Sequence, residues 1–187
     1  MKKLFITVSF LVLSLVTFAA TFDLGVKLGY NTTKLTADLS AFSADSKGGY
    51  NFGAFGRFGG DKFYLQPELL YVVKNGGFKV GTAYDAIKTK TIQVPLLLGY
   101  KLIDLKVASI RAFTGPAVSF GSGYESDKNL TYNLKNSSWA YQLGAGVDFL
   151  MFTVDLRYEL GLTKQLETTT YSNKGNTFSV SFGFKFL

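Results

Sequence analysis

Three ionisable residues at two-residue spacing, Asp155, Arg157 and Glu159, are the chain's best candidates for chemistry. Carboxylates held in different surroundings can divide the roles of general acid and general base. They still need a nucleophile, a metal or a proton shuttle to work with, and the 187-residue sequence holds neither histidine nor cysteine. That absence removes Ser-His-Asp, Cys-His and His-ligated zinc chemistry together. Gly144-Ala145-Gly146 has the start of a dinucleotide fingerprint, but Phe149 stands where the third glycine belongs and no helical pattern follows. Small inward-facing residues in a crowded interior account for it better. Asp155, Arg157 and Glu159 read as a salt-bridge ladder on one face of a strand, so no catalytic residue, cofactor or metal ligand is expected.

The element that carries them is defined by alternation. Phe152, Val154, Leu156, Tyr158, Leu160 and Leu162 interleave with Thr153, Asp155, Arg157, Glu159 and Gly161, the two-residue period of a strand with one apolar face. Seven more segments repeat it. They begin near Phe22, Tyr50, Leu65, Ile92, Ile110, Trp139 and Phe178, and each runs to about ten residues, the length of a tilted membrane strand. A one-residue slip in the seventh segment would turn Asp155, Arg157 and Glu159 toward lipid, where a single mid-bilayer Arg costs about 2–4 kcal/mol. The apolar sides therefore face outward. The predicted fold is all-β, an eight-stranded antiparallel transmembrane barrel in an up-and-down meander.

Export is written at the start of the chain. Lys2 and Lys3 precede an apolar stretch from Leu4 to Phe18 and small residues at Ala19 and Ala20, so residues 1–20 read as a cleaved signal peptide and 21–187 as the barrel domain. Without Lys2 and Lys3, 18 basic residues face 13 acidic ones, a formal +5. This excess is spread out and lacks the cluster a nucleic-acid site would show, so no nucleic-acid partner is expected. A chain without cysteine must be held outside the cytoplasm by something other than disulfides, which a closed hydrogen-bonded barrel supplies.

The links alternate in length: long polar ones at 31–49, 75–90, 121–137 and 163–176, short ones at 59–62, 102–108 and 150–151. Long links outside and short turns in the periplasm are the pattern of outer-membrane barrels, with both termini on the short side. Aromatic residues gather at the two expected interfaces. Tyr30, Tyr50, Tyr71, Phe120, Trp139 and Phe178 lie toward the long links; Phe22, Phe58, Phe63, Tyr64, Tyr100, Phe149, Phe152 and Phe184 lie toward the short turns.

The inner faces collect Asp23, Lys27, Arg57, Glu68, Lys101, Arg111, Asp148, Asp155, Arg157, Glu159 and Lys185. An eight-stranded barrel is just wide enough for side chains to fill it. The mixed charges suit a self-neutralising plug, with a selective ion path as the alternative. The long links carry nine lysines against six acids, and this net positive rim could meet lipopolysaccharide phosphates or simply be solvated.

Leu65-Gln66-Pro67-Glu68-Leu69-Leu70-Tyr71, Val94-Pro95-Leu96-Leu97-Leu98-Gly99-Tyr100-Lys101, and Ala145-Gly146-Val147-Asp148-Phe149 leading into Val154-Asp155-Leu156-Arg157-Tyr158 are family-like stretches. With Thr114-Gly115-Pro116 and Gly25-Val26-Lys27-Leu28-Gly29, they make nearly the whole mature chain resemble the PorT-like branch of the outer-membrane β-barrel superfamily. The resemblance implies an eight-stranded outer-membrane barrel with both ends in the periplasm, inserted by the barrel-assembly machinery. One departure is the ending, where Phe186 is followed by Leu187 rather than closing the chain. The likeness also suggests that Pro67, Pro95 and Pro116, all inside predicted strands, are accommodated by bulges.

The function expected is a small non-enzymatic outer-membrane protein in contact with outer-membrane lipids, whose four surface links serve envelope integrity or surface interaction. Two alternatives belong to other classes. One is a narrow pore or accessory component of an outer-membrane secretion or transport complex. The other, a soluble lipocalin-like carrier, requires an apolar interior and a polar exterior, the reverse of these faces.

Overall fold

Eight strands form in chain order in the computed structural model, which describes residues 21–34, 48–80, 83–105, 107–126, 137–162 and 176–186. They are β1 (Thr21–Lys34), β2 (Gly49–Gly59), β3 (Phe63–Val80), β4 (Ala83–Asp104), β5 (Ala108–Ser126), β6 (Ser137–Phe149), β7 (Phe152–Gly161) and β8 (Asn176–Lys185). Each pairs antiparallel with its sequence neighbours, and β1 pairs with β8 from Gly25↔Lys185 to Lys34↔Asn176, closing the barrel. Through the barrel wall closure leaves no free edge strand, so the backbone hydrogen bonds run from strand to strand, as a hydrocarbon environment demands.

Alternation decides which side chains face in. Along β7 the exposed Phe152, Val154 and Leu156 alternate with buried Thr153, Asp155 and Arg157. The same rule holds in β6 and in the described part of β5, where Arg111, Phe113, Ala117 and Ser119 are buried between exposed Ile110, Pro116 and Phe120. Large apolar residues are thus mostly on the outside, while the buried core is largely polar. Val73 departs from simple parity, since it belongs to the outward set yet is fully covered.

Three expectations change. The 75–90 link continues the sheet, with Asn75↔Lys88 through Val80↔Ala83 paired, and β5 runs on beside it from Lys90↔Gly123 to Ile87↔Ser126. Polar composition hid this extension, because strands beyond the bilayer need no apolar face. Tyr64, expected near the short-turn interface, is buried in the lumen, because Phe63 beside it takes the outward position and adjacent strand residues point to opposite sides. Finally, the prolines do not produce bulges. The register is unshifted at all three, although pairs are skipped beside them, between Phe55↔Glu68 and Phe58↔Leu65, between Pro67↔Leu96 and Leu70↔Gln93, and between Pro95↔Ala117 and Leu98↔Thr114. The register shifts fall instead at Lys90/Ile92 and Lys101/Ile103. A proline removes one donor, and the flanking pairs are enough to hold the register.

Candidate functional site

The lumen is the site that the fold constructs. Its floor comes from β5 to β7: Arg111 lies opposite Gly146, Asp155 opposite Gly146 on the other side, and Asp148 opposite Thr153. Arg111 is fully buried and donates to Asp148 Oδ1 at 3.1 Å, Thr153 Oγ1 at 2.5 Å and the Tyr64 hydroxyl at 3.1 Å, and it also pairs with Asp155 Oδ1. Room for this guanidinium comes from a missing side chain. A Cβ on Gly146 would lie 2.8 Å from Arg111 Cζ and 2.5 Å from Asp155 Oδ1, and one on Gly99 would overlap the Tyr64 ring.

Above it, Glu68 gathers three donors. Arg157 reaches both of its oxygens at 2.9 Å, Lys27 Nζ reaches Oε1 at 2.7 Å and Gln66 Nε2 reaches the same oxygen at 2.6 Å. Lys27 also donates to Asp155 Oδ2 at 2.9 Å, so it joins the Glu68 cluster to that of Arg111. Arg57 completes the lower side, donating to Asp148 Oδ2 at 2.7 Å and through Nε to Gln66 at 2.9 Å. Toward the long links Glu159 accepts from Lys74 at 2.5 Å and from Gln93 and Gln142 at 2.8 Å each. Rings pack against the cations: Tyr64 lies 4.9 Å from Arg57, and Phe113 lies 5.4 Å from both Arg111 and Arg157.

Of the residues singled out from sequence, Arg57, Glu68, Arg111, Asp148, Asp155, Arg157 and Glu159 come together in this lumen. Lys101 does not join them. Although it has inward parity, it lies at the short-turn mouth, where it pairs with Asp104 at 3.0 Å. Among the described residues the buried ionisable groups are Lys27, Arg57, Arg111 and Arg157 against Glu68, Asp148, Asp155 and Glu159, four of each sign. Gln66, Gln93 and Gln142 share the inward parity of the charged residues and are buried among them. They are the connectors between ion pairs, and their signal was an amide at an inward position among charges.

Two cavities border the network, one of about 20 Å³ between Lys74, Gln93, Gln142 and Glu159, and one of about 160 Å³ at the short-turn mouth. The carboxylates that could act as acids or bases are already engaged by cations, which suits structure rather than proton transfer. Outside, Tyr30, Tyr50 and Trp139 are exposed toward the long links and Phe149, Phe152 and Phe184 toward the short turns. Tyr71 and Tyr100 are half-covered, against Phe52 at 5.3 Å and Phe63 at 4.9 Å between ring centres. Residues 1–20, Leu187 and most of the lysine-bearing links lie outside the described residues.

Residues 17–167 match the family model of the outer membrane protein beta-barrel domain. No curated protein sequence matches the chain. Among solved structures, Neisserial surface protein A is similar, with a TM-score of 0.53 at 10% identity, covering 90% of this chain and 99% of that one. OprG from Pseudomonas aeruginosa is similar at a TM-score of 0.51 and 13% identity, covering 88% and 95%. So is Ail, the attachment invasion locus protein of Yersinia pestis, solved with the heparin analogue sucrose octasulfate, at 0.50 and 15%, covering 88% and 99%. Identities this low speak for the fold alone, but the family model spans most of the sequence. Closed barrel, outward apolar faces and family match converge: the chain belongs to the outer membrane protein beta-barrel domain family, and its place is the bacterial outer membrane.

Proposed function

We propose that this protein is a sealed, non-enzymatic barrel that anchors its long links at the cell surface for envelope integrity or surface interaction. The observation that carries the reading is the lumen, where four buried cations and four buried anions neutralise one another and leave little open volume among the described residues. Buried networks with their members paired fix one geometry, and ions crossing would have to break those pairs. The signal at residues 1–20 delivers the chain, and the barrel-assembly machinery inserts it. Tyr30, Tyr50, Tyr71 and Trp139 form the outer aromatic girdle, while Tyr100, Phe149, Phe152 and Phe184 form the inner one. The lysine excess of the long links favours contact with lipopolysaccharide phosphates. On the sequence stretches quoted above, the chain is assigned to the PorT-like branch.

Planar-bilayer recording tests the seal. Purified protein is expected to give no steady single-channel current, and reproducible unitary steps would favour the narrow-pore reading. Lipopolysaccharide contact is tested by exchanging the lysines of the 163–176 link for glutamine, with reduced co-purification of lipopolysaccharide expected.

A further inference from the structure

At the short-turn mouth the lumen opens into the 160 Å³ cavity, and here the bonding is incomplete on the donor side. Arg57 is buried, yet its Nη2 has no hydrogen-bond partner among the described residues. Lys185 Nζ stands 3.8 Å from Asp23 and 4.0 Å from Asp148, beyond hydrogen-bonding reach of both. The acceptors are better supplied. Asp148 already receives Arg57, Arg111 and Ser109, and Asp104 holds Lys101. Asp23 is the exception, part-exposed and 3.5 Å from Arg57 Nη1. A buried guanidinium with one orphaned nitrogen and an ammonium only loosely paired with Asp23 and Asp148 leave the mouth short of an acceptor, a role that phosphate oxygens fill.

Part of the lining is apolar. Leu105, Val107 and Leu150 form it, all more than half exposed. The Leu150 amide donates to the Val107 carbonyl at 2.9 Å, joining the β4–β5 and β6–β7 turns into one lip. Leu150 has φ of 53°, in the left-handed region that favours glycine or asparagine. A bulky apolar side chain is kept where a small polar one would fit the backbone more easily. The β2–β3 turn at the same end, Gly60-Asp61-Lys62, has no such character. The lip adjoins Phe149 and Phe152 of the outward apolar face in sequence, and Leu150 and Met151 between them are exposed as well.

We propose that this mouth binds the zwitterionic phosphate head group of an inner-leaflet phospholipid. The phosphate is held by Lys185 beside the Arg57 guanidinium, whose orphaned nitrogen turns toward it on binding; the head-group ammonium is directed at Asp23, and the acyl chains lie along Leu105, Val107 and Leu150. The assignment to the inner leaflet rests on the reading that the short turns face the periplasm; the binding itself does not.

The test uses the purified barrel in a neutral detergent, titrated with dihexanoyl phosphatidylethanolamine and followed by amide chemical shifts near Leu150 and Lys185. Saturable shifts are expected at these positions. Lys185→Gln and Leu105→Asn, neither of them hydrogen-bonded to the central network, should each weaken binding by about tenfold, as expected for losing one charge-assisted or apolar contact. Asp61→Asn should leave it unchanged. Inorganic phosphate and dihexanoyl glycerol serve as comparison ligands. The proposal is overturned if the phospholipid gives no saturable shift. It is also overturned if inorganic phosphate matches it with Leu105→Asn neutral, a free-anion site, or if dihexanoyl glycerol matches it with Lys185→Gln neutral, apolar adhesion alone. Detergent leaves both barrel ends accessible, so a failure here is separate from an error in orientation, which protease access to the turns in intact cells reads independently.

Discussion

The middle of the lumen and its short-turn mouth are built from the same residue types and behave as different materials. In the middle, Arg157 grips both oxygens of Glu68 at 2.9 Å and Lys27 bridges Glu68 and Asp155, with every one of these side chains nearly inaccessible. At the mouth, Lys101 meets an Asp104 whose side chain is 44% exposed, and Lys185 has only contacts of 3.8 and 4.0 Å. Water makes the difference. Where it is excluded a charge has no substitute partner, so geometry becomes obligatory; where it enters, a pair is one option among several and salt screens it.

The largest effect should come from breaking the middle. Arg157→Met leaves Glu68 with Lys27 and Gln66 and without its two-pronged partner. Removing one member of a buried pair typically costs about 3–5 kcal/mol, which urea unfolding in lipid vesicles, followed by heat-dependent gel mobility, would register. Adding Glu68→Leu removes the stranded charge, and the double variant should regain most of the loss. A double variant as unstable as the sum of its parts would mean the two residues act separately.

One position along β7 the physics reverses. Leu156 lies between Asp155 and Arg157 and faces outward. Leu156→Arg should cost about 2–4 kcal/mol in vesicles, although the same side chain is required one position further on, at 157. A cost present in vesicles and reduced in detergent would tie the effect to the depth of the bilayer, since a thin micellar belt lets the charge reach water. Packing gives a smaller loss. Gly99→Ala pushes a methyl into the Tyr64 ring and disturbs the hydroxyl that accepts from Arg111, for about 1–3 kcal/mol in the same unfolding assay. Tyr64→Phe should leave the Gly99→Ala penalty in place if the ring, rather than the hydroxyl, is the obstacle.

How much of this was legible in the sequence follows from what a two-residue period encodes. It states which face a side chain takes, and so the inward placement of Arg111 or Asp155 and the outward placement of Trp139 could be read directly. It says nothing of depth, which is why Lys101, correct in parity, turned out to be a mouth residue. It extends to Phe63 and Tyr64 as well, since the parity of Leu65, Leu69 and Tyr71 puts Phe63 outside and Tyr64 inside; grouping both with the girdle on aromaticity alone is where the expectation fails. It is silent above the bilayer, where β3, β4 and β5 remain paired without an apolar stripe. Nor could it name partners, since Lys27 and Asp155 meet across 128 positions of chain. The prolines misled for a related reason: a lost donor is visible in sequence, while the neighbouring pairs that outweigh it are not.

The mouth supplies the smallest prediction and the sharpest control. Asp104→Asn abolishes the ion pair with Lys101 while keeping size and hydrogen-bonding capacity, and both partners have access to water. The expected cost is about 0–1 kcal/mol, falling toward zero as salt rises well above about 0.1 M. Arg157→Met should keep most of its penalty over the same range, because ions cannot approach a pair sealed between Phe113 and Gln142. Urea midpoints for the two variants at low and high salt therefore measure the contrast directly. If Asp104→Asn were as costly as Arg157→Met, or if both losses vanished in salt, burial would not be what separates the two ends of the lumen, and the plug would be held together by something other than its exclusion of water.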